Sequence, residues 1–172
     1  MTTKEIRKHT RAGSFDYSTS GLYFLTVCTV ERNNILSRIR TEEEIDPFQT
    51  NNPVLRVELL KNGKIVKSSL DFISNNNPDY RIEKYVIMPN HLHILVWVLG
   101  NGSVALNENR ANQMIPKFVS SFKRYTNKQA GIQMWQRSYY DHVIRDEKDY
   151  LHHLEYIENN PLKRAIDKYY RP

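Results

Sequence analysis

Two histidines, His91 and His93, stand at i and i+2 in the run Tyr85-Val86-Ile87-Met88-Pro89-Asn90-His91-Leu92-His93-Ile94-Leu95-Val96-Trp97. Alternate side chains of a strand share a face, so both imidazoles would project from one sheet surface. Two rings so placed can ligate one metal ion. A His-x-His taken alone is more often a pair of hydrogen-bonded strand residues, and a second feature changes the weight. Tyr156 and Asn160 sit at i and i+4 in Leu151-His152-His153-Leu154-Glu155-Tyr156-Ile157-Glu158-Asn159-Asn160-Pro161. On a helix they lie one above the other.

A phenol with a pKa of about 10 is a poor nucleophile at neutral pH. It becomes useful where a divalent cation polarises the phosphate it attacks. His91, His93 and an oxygen of Asn160 make three ligands and leave positions open for phosphate and water. Mixed nitrogen and oxygen ligation suits Mg²⁺ or Mn²⁺, while the histidines alone would equally suit zinc. His152, one turn before Tyr156, is a secondary candidate for touching phosphate or metal. Tyr139, Tyr140 and Tyr150 compete for the nucleophile's role. Tyr150 lacks an amide four residues on, where Leu154 stands, and Tyr139 and Tyr140 flank Trp135, which suits base stacking or core packing. His142 and His153 read as structural.

The elements that must hold these groups follow from periodicity. Residues 22–30 are β-branched and aromatic and predict a first strand. Residues 31–53 predict a loop with little core content and room for a short extra strand. The apolar spacing over 54–74 is helical except at Asn62-Gly63, so a helix with a break there is expected. Strands are predicted over 80–88 and 91–99, divided by Pro89-Asn90. Residues 114–128 form an amphipathic helix with Ile115, Phe118, Val119, Phe122 and Tyr125 on one face. Lys117, Ser121, Arg124 and Lys128 fall on another face, placed to meet a phosphate backbone. A fourth strand ends near Arg145, and a last helix opens at Asp146-Glu147 and is expected to close at Asn160-Pro161. Leu151, Leu154 and Ile157 would be its packing stripe. The fold class is α+β: a ferredoxin-like antiparallel βαββαβ sheet plus a C-terminal helix carrying the tyrosine.

Composition bounds the rest. The chain has 172 residues, a net charge of +6 and a single cysteine. That length suits one domain, expected over 21–172 after a basic lead-in at 1–20. No run is long enough for a membrane span, and residues 1–9 lack a signal peptide's apolar core, so no membrane partner and a cytoplasmic location are expected. Cys28 is read as a small strand residue. The positive charge points to a polyanion, most simply nucleic acid, with Arg137 and Arg145 adding to the basic helix face.

Residues 86–93, with the segment 135–145 and Tyr156-Ile157-Glu158-Asn159-Asn160-Pro161, resemble the two signatures of the HUH single-tyrosine transposases. Within that superfamily the chain is most similar to the REP-associated tyrosine transposases, over about 23–164. The resemblance implies a metal-dependent enzyme that cleaves and rejoins single-stranded or hairpin DNA through a 5′-phosphotyrosine, with no nucleotide cofactor. Tyr156 matches the catalytic tyrosine, His91 and His93 the metal pair, and Asn160 the third ligand. A homodimer is also implied, in which one chain's tyrosine helix can serve its partner's metal. Two rivals stand beside it. One is a non-catalytic nucleic-acid-binding module on the same sheet plan; the other is a host-adopted enzyme that cleaves without transposing.

Overall fold

The structure is a computed structural model and describes residues 20–42, 54–99 and 114–165. The expected lead-in, apart from residue 20, lies outside the described residues, as do positions 43–53 of the polar loop and the connection at 100–113. The chain runs β1 (Gly21–Cys28), a 3₁₀ turn (Val30–Arg32), β2 (Ser37–Glu42), β3 (Val54–Leu59), α1 (Lys61–Asn76) and β4 (Tyr80–Met88). It continues through β5 (His91–Val98), α2 (Met114–Ala130), β6 (Tyr140–Val143) and α3 (Glu147–Ala165).

Four strands form an antiparallel sheet in the order β4-β5-β1-β6. This is the split βαββαβ order of a ferredoxin-like sheet, with the β2–β3 pair inserted before α1. Strand alternation assigns each face. Tyr23, Leu25 and Val27 of β1 and Leu92, Ile94 and Val96 of β5 bury against Val66 and Leu70 of α1 and Ile115, Phe118 and Phe122 of α2. Each such side chain removed from water contributes about 2 kcal/mol. The opposite residues, Leu22, Phe24 and Leu95, pack with Ile157, Tyr150, Leu154 and Tyr156 of α3. The sheet is therefore covered on both faces, and His91 and His93 share the parity of Leu95. Among the described residues no helix is long and apolar enough to cross a membrane.

Three local expectations change. Residues 54–59 are a strand paired with β2, and the helix begins only at Lys61. Gly63 lies within its first turn and breaks nothing, because the helix starts where the chain passes under Leu36. A Cβ at Gly63 would stand 2.0 Å from the Leu36 carbonyl oxygen, which already accepts the Leu60 N–H at 2.9 Å. Gly63→Ala should therefore destabilise the fold by on the order of 3 kcal/mol, read as a lowered urea midpoint at unchanged slope.

Pro161 does not close α3, which continues to Ala165. The ring removes one N–H and leaves the Ile157 carbonyl without its usual donor, while the surrounding turns carry the helix through. The packing stripe also differs. Tyr150, Leu154 and Ile157 face the sheet, whereas Leu151 is 52% exposed.

Candidate active site

Pro89 and Asn90 form the two-residue turn between β4 and β5, with Met88 paired to His91. Asn90 is buried and fixes His91 through both ends of its amide. Its Nδ2 donates to the Arg32 carbonyl at 3.1 Å, so its Oδ1 must be the atom facing His91 Nδ1 at 2.8 Å. A carbonyl oxygen only accepts, hence His91 carries its proton on Nδ1 and presents a lone pair on Nε2. Thr26, the cross-strand partner of His93, places its hydroxyl 2.8 Å from His93 Nδ1. The two rings stand edge to face with centroids 4.6 Å apart.

His93 is only 4% exposed, and its Nε2 is buried with no hydrogen-bond partner among the described residues. Leaving such an atom unsatisfied costs about 1–3 kcal/mol. Burial, then the charges of His91, Arg32 and His153, push the His93 pKa down to about 3. A neutral imidazole with one nitrogen anchored and the other bare is the form that binds a metal. The donor set therefore fits a divalent ion.

The same shift sets a pH dependence. In EDTA-stripped protein, unfolded His93 takes up a proton near pH 6.5, whereas the folded ring resists until about pH 3. The resulting stability is complete above pH 6.5 and is lost progressively as the pH falls toward 3. Urea midpoints at pH 7.5 and 5.0 should differ in the native chain and differ less in His93→Gln.

α3 crosses the same face, running from Tyr150 beside Leu22 and Trp97 toward the His91 end of β5. Asp146 caps it, accepting the Asp149 N–H at 2.8 Å. Tyr156 reaches its own chain's His93, with ring centroids 5.2 Å apart and edge to face. Phe24 holds both rings, stacking on His93 at 5.2 Å and meeting Tyr156 edge-on at 6.0 Å. Asn160, one turn further along that helix face, is buried. The tyrosine and both histidines thus meet between β5 and α3, with the buried asparagine one turn further along the helix.

The competing tyrosines lie elsewhere. Tyr150 points its hydroxyl at Glu83, Tyr139 packs under the Lys123 ammonium at 5.6 Å, and Tyr140 is exposed on the edge strand. Trp135 is buried and donates to Thr126, so it is unavailable for base stacking. His152 is exposed and meets the ring of His153 at 5.3 Å.

Lys117, Ser121, Arg124, Lys128, Arg137 and Arg145 are all exposed. The helix α2 covers the face opposite the histidine pair, so its four residues do not border Tyr156. Arg137 follows Gln136, whose N–H bonds the Cys28 carbonyl at 2.9 Å, and so lies at the His91 end of the sheet. Arg145 flanks the other end of β6. One basic group escaped sequence reasoning. Arg32 acts electrostatically on His93 and sits in a left-handed pair, Glu31 at φ 53° and Arg32 at φ 57°. Each such residue costs about 1–2 kcal/mol, offset here by the Asn90 bond to Arg32 and by Thr29 Oγ1 donating to the Asn33 carbonyl at 2.9 Å. No glycine announces this turn. Phe24, Thr26 and Asn90 were also missed as supports, although Thr26 follows from strand register.

No family model matches the chain. It is 32% identical over 191 residues to an uncharacterised protein of Haemophilus influenzae, covering 99% of both chains. It is 30% identical over 86 residues to the REP-associated tyrosine transposase of Escherichia coli K12. That second match covers 50% of this chain and 47% of the relative, so it spans about half of each. Over about half its length the chain is thus similar to REP-associated tyrosine transposases. A solved REP-associated tyrosine transposase bound to a REP hairpin has the same fold, with a TM-score of 0.52 and 22% identity. It covers 95% of this chain and 75% of its own. Within this transposase fold, α3 sits on the sheet face that carries the histidine pair.

Proposed function

We propose that this chain is a metal-dependent endonuclease and strand transferase acting on single-stranded or hairpin DNA through Tyr156. The observation that carries the reading is the juxtaposition of Tyr156 with His93, whose buried Nε2 has no hydrogen-bond partner among the described residues. The hairpin DNA held by the structural relative supports the substrate class. A Mg²⁺ or Mn²⁺ ion held by His91, His93 and Asn160 would neutralise charge building on the phosphate.

The chain's own groups do the rest. Phe24 and His93 fix the ring of Tyr156 so that its oxygen meets phosphorus in line. A bond forms between the Tyr156 oxygen and phosphorus as the bond to the 3′ oxygen breaks. The phenolic proton is released, and the departing oxygen takes one up to become a 3′-hydroxyl. Attack by a second 3′-hydroxyl reverses these changes and restores the phenol, so no nucleotide is consumed. Asn90 holds His91 in its ligating tautomer, and Thr26, accepting from His93 Nδ1, would leave the second imidazole's Nε2 for the metal. Arg32 and Arg137, at the His91 end, would contact phosphates near the cut, with Arg145 and the α2 face holding flanking backbone.

The test is incubation with labelled hairpin and single-stranded oligonucleotides, including palindromes flanking the gene, with Mn²⁺ or Mg²⁺. Denaturing gels should show a covalent protein–DNA band that EDTA abolishes. Tight binding indifferent to EDTA, with no nicking across the panel, would favour a non-catalytic binding module instead.

A further inference from the structure

A second group of ligating side chains meets Phe24 through His153. β6 and the first turns of α3 bring together His142, Asp149 and His153. His142 Nε2 lies 3.0 and 2.9 Å from the two carboxylate oxygens of Asp149. His153 Nδ1 lies 3.1 Å from Oδ1 of the same carboxylate. The imidazoles are stacked, 4.7 Å between centroids and 18° between planes. One ligand atom from each residue lies within 4.8 Å of the other two.

We propose that His142, Asp149 and His153 form a second divalent-metal site, for a transition ion of the Zn²⁺ class, with water in the remaining position. Two imidazole nitrogens and one carboxylate oxygen form a donor set that zinc accepts in a tetrahedron, and harder Mg²⁺ favours oxygen. Zinc bonds of about 2.0–2.2 Å space tetrahedral ligands by roughly 3.3–3.6 Å. The two nitrogen–carboxylate separations would open by a few tenths of an ångström, with the two imidazole nitrogens already within 4.8 Å of each other. The side chains are 32%, 20% and 16% exposed, so an ion can enter from solvent.

Two elements supply the ligands, and the ion would clip β6 to α3, the helix that carries Tyr156. His153 then gives up the hydrogen bond from Nδ1 to the Asp149 carbonyl, 2.9 Å away. Phe24 touches both ligand sets, its centroid 4.6 Å from His153 and 5.2 Å from His93.

The full chain, stripped with EDTA, is titrated with Co²⁺ as a coloured probe that Zn²⁺ displaces. Absorption and bound equivalents are read in the native chain, in His91→Gln with His93→Gln, and in His142→Gln with His153→Gln. The site predicts two bound Co²⁺ equivalents in the native chain and one in each double variant, the equivalent left in the first being displaced by Zn²⁺. Asp149→Asn keeps an oxygen that can accept hydrogen bonds and should weaken this Co²⁺ binding at least tenfold, with circular dichroism unchanged. No bound equivalent in the first double variant, or no equivalent lost between the native chain and the second, overturns the proposal. A native chain that binds a single equivalent, kept in the first double variant and lost in the second, would count against the active site and leave this one standing.

Discussion

Tyr156→Phe should abolish covalent capture of DNA, lowering cleavage by on the order of 10⁴-fold or more, as loss of a sole nucleophile does elsewhere. The substitution removes one oxygen and keeps the ring. Its edge contacts with His93 and Phe24 persist, so stability should move by less than about 1 kcal/mol. Oligonucleotide affinity should stay within a few-fold. The neighbouring tyrosines offer no bypass. Tyr150 is turned toward Glu83 at the other end of α3, and Tyr139 is engaged beneath Lys123. The comparison to make is adduct yield against binding affinity, in native and variant protein, at one metal concentration. An unchanged adduct would remove Tyr156 from the chemistry.

His91→Gln combined with His93→Gln should eliminate metal-dependent cleavage to a similar extent, with hairpin binding retained. Glutamine is polar and near in size, but neither amide atom reproduces an imidazole lone pair set by a bond at Nδ1. The supports predict a graded effect that separates ligation from folding. Asn90→Ala removes the acceptor that holds His91 and should weaken metal binding by about 10–100-fold. Raising Mn²⁺ should restore its cleavage, whereas the double histidine variant should stay inactive. Cleavage rate followed against Mn²⁺ concentration distinguishes the two, and rescue of the double variant by added metal would move the ligand assignment elsewhere.

Much of this site was legible because period carries face. The parity of His91 and His93 put both rings on one sheet surface, and the spacing of Tyr156 and Asn160 put them on one helix face. Periodicity does not say which side of a sheet a helix covers. The basic face of α2 was therefore readable as a face, while its position opposite the histidines was not. The β2–β3 pair was obscured for a related reason. Arg38, Arg40 and Glu58 line a ladder with little apolar alternation, so Leu55 and Leu59 looked like the start of α1. Pro161 misled because a proline usually marks a helix end, and here the turns around it continue. The His142–Asp149–His153 group joins a strand to the helix after it. His142 and His153 read as structural in the sequence because His142 meets Asp149 and His153 only through the geometry of the β6–α3 connection.

The most direct test of the account is peptide mapping by mass spectrometry of the covalent adduct formed with a hairpin oligonucleotide and Mn²⁺. The account predicts a single modified tryptic peptide, with a 5′-phosphonucleotide on the oxygen of Tyr156. A modification on Tyr139, Tyr140 or Tyr150, or an adduct that forms equally well in EDTA, would contradict it.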